Sequence, residues 1–240
     1  MKNKSLNKFI SSVLSVLLVA ALFLTGCSSA SAPGESGSSA ETTPVATPEP
    51  TPEPSPLEKA YAENNDVVGW LTVNGCEIDN RVFQSYNNDT YLRLDESGKY
   101  DVWGCYFLDY INVIENGTMT DKVSIIYGHA LDDDPNSEKF SKLKKYKDAD
   151  FAKANPEITF QLLDGETKWQ IFSACDIPVT IDYIDPNPDE EKYSATLNHM
   201  LTNSYVDFGV EVTAEDKILV LSTCTSNENV RFVVAAKLAE

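Results

Sequence analysis

Positive charge is scarce in this chain. Lysine and arginine total 19 against 37 aspartates and glutamates, a formal net charge of −18 over 240 residues. A field of that sign repels phosphate and excludes nucleic acid as a partner. It also offers no attraction to an anionic membrane surface, so membrane attachment needs a dedicated segment. Cysteines at metal spacing are missing too: five are present, with no Cys-X-X-Cys pair and no other zinc pattern. The loop "DDDPNSE" (132–138) resembles a calcium loop but lacks the glycine and the distant glutamate of an EF-hand. A helix N-cap at Asn136 or Ser137 explains much of it. Neither a metal nor a cofactor is expected. Internal repeats and βαβ alternation are also absent, which argues against solenoids and doubly wound sheets.

Long apolar runs are lacking as well. The longest, Phe9 to Leu24, follows Lys2, Lys4 and Lys8 and has the length of a secretory h-region rather than of a comfortable membrane span. It closes on Leu24-Thr25-Gly26-Cys27, which resembles a bacterial lipobox. Residues 1–27 therefore read as a lipoprotein-type signal peptide with Cys27 as the lipidation site, or alternatively as an uncleaved signal anchor. Either reading puts the rest of the chain outside a cytoplasmic membrane. Residues 28–56 are rich in Ser, Pro, Thr and Glu, contain almost nothing that builds a core, and read as a disordered tether. Residues 57–240 are left for one domain with a substantial core.

Within that domain, 57–66 reads as a short helix. Asn74-Gly75 between two apolar runs predicts a type I′ hairpin. Residues 87–95 read as one helical turn or two. "DVWGCYFLDY" and "DKVSIIYGH" read as buried strands, and 137–156 as a helix in two pieces stopped by Pro156. "EITFQLL" and "TKWQIFSACDI" flank Asp164-Gly165 as a second hairpin. Residues 189–204 form an amphipathic helix with Tyr193, Leu197, Met200 and Leu201 inward. Two last runs, joined by "TSNEN", close the domain. The pattern is mainly β with inserted helices, with about eight short strands favouring a barrel. The sequons at 88–90 and 116–118 are read as chance matches.

The final pair of runs carries the chemistry. Cys224 ends the first and Arg231 opens the second, so if the two strands pair, the guanidinium lies across from the thiol. A free thiol has a pKa of about 8.5 and is mostly un-ionised near neutrality; a neighbouring imidazole can hold its proton and a guanidinium favours the anion. Arginine, always charged, is also a durable donor to an oxyanion forming on an attacked carbonyl. Only two histidines exist. His199 is offset from the apolar positions of its helix and reads as a surface residue. His129, at the end of an apolar run, is the candidate base. Cys76, Cys105 and Cys175 lie in or beside strand-like stretches and behave as small apolar residues; a disulfide between two of them is an open alternative.

"YGH" (127–129), "LSTCT" (221–225) and "NVRFVVAAKL" (229–238) are similar to the His, Cys and Arg motifs of the sortases. "NNDVVGWLTVNGCEIDNRVFQSYNNDTYL" and "FSKLKKYKDADFAKANPEITFQLLDGE" resemble class B sortases in particular. The likeness runs from about residue 57 onward in the family's order. It implies an eight-stranded sortase-like β-barrel, with a helix between the sixth and seventh strands, and a membrane-held cysteine transpeptidase. On that likeness Cys224 attacks the carbonyl of a threonine in a C-terminal sorting signal. His129 serves the leaving and entering amines, Arg231 stabilises the oxyanion, and Ser222 and Thr223 are secondary substrate-binding positions. The implied partners are the sorting-signal peptide of secreted surface proteins and an amine acceptor in peptidoglycan or a pilin.

Some positions depart from the family pattern. Val220 stands at the first position of the TLxTC signature, Ala130 follows the histidine where a polar residue is common, and Ile111 replaces a polar or charged residue. The last two put the specificity for the signal in doubt, and both NPxTN-like and PPxTG-like signals stay open. The lipobox is the largest departure, since family members usually keep an uncleaved helix. A cysteine peptidase or hydrolase using water, and a non-catalytic lipid-anchored module, are the competing readings.

Overall fold

The structure, a computed structural model, describes residues 53–239. The signal, lipidation and anchor readings for residues 1–27, and most of the tether 28–56, lie outside the described residues.

Helix α1 (Pro56–Glu63) starts where its capping chemistry dictates. The Ser55 hydroxyl accepts from Glu58 N at 3.2 Å, and the Glu58 carboxylate accepts from Ser55 N at 2.7 Å. Pro56 opens the first turn, where its missing N–H costs nothing. The remaining elements are β1 (Val67–Val73), β2 (Ile78–Phe83), β3 (Tyr106–Leu108), β4 (Ile114–Glu115), β5 (Thr118–Met119) and β6 (Val123–Tyr127). A 3₁₀ segment (Phe140–Lys147) and α2 (Ala149–Ala154) precede β7 (Glu157–Leu162) and β8 (Gly165–Pro178). Helix α3 (Glu190–Thr202), β9 (Ile218–Cys224) and β10 (Val230–Leu238) follow.

Eight of these strands close a barrel in the order β1-β2-β3-β6-β9-β10-β8-β7. The expected architecture, mainly β with inserted helices, is therefore present. Helix α3 falls between the sixth and seventh barrel strands, β8 and β9. Pairing is antiparallel except at β2–β3 and β6–β9. Strand β9 is buried on both faces: Leu219 and Leu221 join one core cluster with Phe160, Phe232 and Val234, while Ile218 and Val220 join another with Tyr193, Leu197 and Met200 of α3. That double cover explains why "ILVL" is continuously apolar rather than alternating. Val220 is fully buried, so the barrel accepts valine at that position of the signature.

Several local expectations are corrected. The β1–β2 connection has four residues, with positive φ at Gly75 (73°) and Glu77 (53°). A two-residue type I′ turn needs positive φ at both central residues, and Asn74-Gly75 is not one. Asn116-Gly117 has that geometry, with φ of 49° and 67°, and joins β4 to β5. Residues 87–95 form turns rather than helix, because Asn87 Oδ1 accepts from the backbone N–H groups of Asp89 and Thr90 and competes with helical bonding. The β7–β8 turn is Leu163-Asp164, since Leu162 pairs with Gly165. The stretch 137–156 does split in two, but its first piece is 3₁₀ and is preceded by Lys139 at φ 57° with no side-chain cap, so neither Asn136 nor Ser137 caps it. Leu201 is exposed, whereas Tyr193, Leu197 and Met200 are inward. Cys76, Cys105 and Cys175 are buried and unpaired, so the disulfide alternative falls.

Candidate active site

Strand register brings three residues to one level. In the β9–β10 ladder Arg231 pairs directly with Cys224, as the short turn between them predicts. On the other side β6 runs parallel to β9 with Tyr127 opposite Ser222. Two residues further along each strand stand His129 and Cys224. The pairing continues past the end of β6: Gly128 N donates to Ser222 O at 3.3 Å, and the Thr223 hydroxyl donates to Gly128 O at 2.6 Å. His129, Cys224 and Arg231 thus stand at one level on three neighbouring segments, with adjacent backbones roughly 5 Å apart. Cys224 and Arg231 share the parity of Val220 and Val233, which pack in the α3 cluster, so both point to that side of the sheet. Gly128 must be glycine here, because a Cβ would lie 2.7 Å from the rings of both Phe140 and Tyr106.

These residues line a cleft of about 270 Å³ together with Asn88, Asp89, Leu92, Phe107 and Tyr127. Ser222 and Thr223 line it as well, but their hydroxyls are committed to protein partners: Ser222 to the Tyr183 hydroxyl at 2.8 Å, Thr223 to Gly128 O. A second cleft of about 400 Å³, lined by residues 179–184, shares Tyr127 and Arg231 as its wall.

His129 is half-buried, and its Nε2 lies 3.0 Å from Leu92 O. A carbonyl only accepts, so Nε2 carries a proton and Nδ1 is the nitrogen left to exchange one. Arg93 Nη1 stands 3.5 Å from the same Nε2 but donates to Val102 O at 2.8 Å. The Trp103 ring meets the imidazole edge-on, with centroids 6.3 Å apart. Arg231 Nη1 donates to Glu228 O and Val230 O. No carboxylate pairs with Arg231 among the described residues, so its charge stays available to an anion. His199 is half-buried, does not line the cleft, and bonds Asp176 O from α3.

The acidic loop 132–138 has a structural use. Asp133 accepts from the buried Lys144 ammonium with one oxygen and from Ser226 N with the other. This strap ties the segment after His129 to the turn after Cys224. Among the described residues no cluster of metal-binding side chains occurs. Tyr127 and Asn88 escaped sequence reading; the signal available for Tyr127 was only its place in the "YGH" motif.

No protein-family model matches the chain. Sortase B of Staphylococcus aureus is 30% identical over 179 residues, covering 73% of this chain and 71% of the relative. Sortase B of Listeria monocytogenes is 35% identical over 181 residues, covering 73% of this chain and 70% of the relative. The chain belongs to the sortase B family. Solved class B sortases share its fold. A Staphylococcus aureus sortase B–substrate complex superposes with a TM-score of 0.68 at 28% identity, over 77% of this chain and 84% of that one. Sortase B of Clostridium perfringens gives 0.67 at 27% identity, over 76% and 98%. A sortase B complexed with triglycine gives 0.68 at 29%, over 76% and 85%. As a sortase, the protein is a cysteine transpeptidase.

Burial separates the thiols. Desolvation of the thiolate pushes Cys76 and Cys105 up to about 12 and Cys175 up to about 11, while Cys224 is exposed. Iodoacetamide near pH 8 is therefore expected to alkylate Cys224 at least tenfold faster than these three, with peptide mapping as the readout. Equal labelling of a buried thiol would contradict the assignment.

Asp133 supplies a pH test. Hydrogen bonds from Lys144 and Ser226 hold its carboxyl at about 2, below the usual 3.8. Because the folded-state value is depressed, its contribution to stability is complete above about pH 4 and is lost as pH falls through about 2. The Asp133 side chain is 43% exposed, so that contribution is below about 1 kcal/mol. Urea unfolding should show Asp133→Asn slightly less stable than the native chain at pH 7, with the difference closing between about pH 4 and about pH 2.

Proposed function

We propose that this sortase cleaves a C-terminal sorting signal of secreted surface proteins after threonine and transfers the acyl group to an amine of the cell wall or of a pilin. The observation that carries this reading is the common level of His129, Cys224 and Arg231 around one cleft. The Cys224 thiol gives its proton to His129, and the thiolate Sγ attacks the threonine carbonyl as the C–O π pair moves onto oxygen. The Arg231 guanidinium, which has no carboxylate partner among the described residues, meets that oxyanion. Protonated His129 gives its proton to the departing amine as the C–N bond breaks, leaving a thioacyl enzyme. The incoming amine then attacks the thioester, loses its proton to His129, and the thiolate leaves. Ser222 and Thr223 act by fixing the strand that carries the thiol.

The relatives support the choice of partners: one solved sortase B is a substrate complex and another is complexed with triglycine. We carry both kinds of partner, a signal peptide and an amine acceptor, over to this chain. We further propose that it works at the extracytoplasmic face of the cell membrane, with residues 1–27 as anchor, through Cys27 or an uncleaved helix, and residues 28–56 as tether. Among the described residues no helix is long and apolar enough to cross a membrane, so on this proposal attachment rests on the N-terminal segment.

Incubation of the full chain with NPxTN-like and PPxTG-like peptides, with and without added amine, tests the reading. Amine should divert product into an amide adduct; hydrolysis alone, unaffected by amine, would make the enzyme a peptidase instead. Cys224→Ala should abolish turnover. Arg231→Lys should lose about 3 kcal/mol of transition-state stabilisation, roughly two orders of magnitude in kcat. An unchanged rate would remove Arg231 from the chemistry.

A further inference from the structure

One buried charge has no part in the chemistry above. Asp109 follows β3, is 1% exposed, and pairs with no lysine or arginine among the described residues. An unpaired buried carboxylate is costly unless several donors satisfy it. Here Oδ2 accepts from the Tyr127 hydroxyl at 2.7 Å and from Asn88 Nδ2 at 3.0 Å, while Oδ1 accepts from Ile111 N at 3.1 Å. Its backbone is held as well: Asp109 N donates to Ile125 O at 2.9 Å, and Asp109 O accepts from Gln84 Nε2 at 2.8 Å.

Two of the three side-chain bonds lead to the cleft. Asn88 and Tyr127 both line it beside Cys224, and Tyr127 also lines the adjoining cleft beside Arg231. Asn88 is fixed at both ends of its carboxamide, because its Oδ1 accepts from Tyr110 N at 3.0 Å. Burial, then the neighbouring Asp109 charge, pushes the Tyr127 phenol well up. It therefore keeps its proton and stays a donor to Asp109. A phenol whose proton is committed has only lone pairs left for a ligand.

We infer that Asp109 is a positioning residue for the peptide substrate. It holds Asn88 and Tyr127 in place through one carboxylate oxygen, and it leaves the Tyr127 oxygen to accept from an N–H of the bound chain. The inference rests on the sorting-signal reading and adds to it a polarity: the wall beside Arg231 recognises peptide N–H groups.

The test uses the full chain and whichever signal peptide the native enzyme turns over. Asp109→Asn conserves shape; with its nitrogen toward Tyr127 and Asn88 two donors lose their acceptor, and with it toward Ile111 one does. KM should rise about tenfold, the size of one lost charge-assisted hydrogen bond, with kcat within roughly twofold of the native value. Tyr127→Phe, which deletes only the hydroxyl, should raise KM in the same direction. The double variant should be less impaired than the two single effects combined, since they share one interaction. A merely structural role would lower the melting temperature and the amount of active enzyme while leaving KM alone, and that result overturns the inference. If Asp109→Asn does not fold, Tyr127→Phe decides alone, and an unchanged KM refutes the positioning role. No turnover of any signal peptide by the native chain would sink the transpeptidase reading. In that case peptide affinity in the Cys224→Ala background still decides whether Tyr127 contributes to binding: equal affinity with and without Tyr127→Phe refutes the inference.

Discussion

The parallel contact between β6 and β9 is the constraint on which the site depends. Antiparallel neighbours such as β9 and β10 are joined by a short turn, so Cys224 and Arg231 face one another at little entropic cost. The histidine arrives differently. Its strand lies far earlier in the chain, separated from β9 by two barrel strands and three helical segments, and only the rung at Tyr127 and Ser222 puts it level with the thiol. The Thr223 hydroxyl on Gly128 O extends that rung by one residue beyond the strand proper. A one-residue slip there would turn the imidazole to the opposite face. Cover on both sides of β9 makes such a slip costly, because every buried side chain on it would change partners.

Charge is distributed to match. The chain is acidic, yet the guanidinium in the cleft has no carboxylate partner among the described residues, and two carboxylates near the cleft machinery are engaged by other groups. Asp133 is held by Lys144 and Ser226, and Asp109 by Tyr127, Asn88 and Ile111. A carboxylate on Arg231 would compete with any oxyanion formed beside Cys224. On the proposed mechanism, keeping those acids occupied elsewhere leaves the positive charge for the reaction.

Much of this was legible from the residues. The Cys224–Arg231 juxtaposition followed from two apolar runs and a turn, and the barrel from the spacing of strand-like segments. The position of His129 was not legible from periodicity, because parallel pairing leaves no local mark; the family resemblance supplied it. Turn chemistry misled twice, by one residue at Asp164-Gly165 and in kind at Asn74-Gly75: Asn-Gly occurs twice, and composition alone does not say which instance has both residues at positive φ. At Asn74-Gly75 the buried Cys76 lengthens the connection; its thiol bonds Lys142 O. Asp109 was hidden because a single acid at the end of "CYFLD" reads as a strand terminus. Only the tertiary structure shows that it is buried with three donors on it.

Strand β10 has a consequence for biosynthesis. It is inserted between β9 and β8, with partners along both edges, so the barrel stays open until residues 230–238 have been made. The same segment delivers Arg231. A nascent polypeptide halted before that point has neither a closed wall nor the cation beside its sulfur, so closure of the fold and arrival of Arg231 at Cys224 are coupled in time.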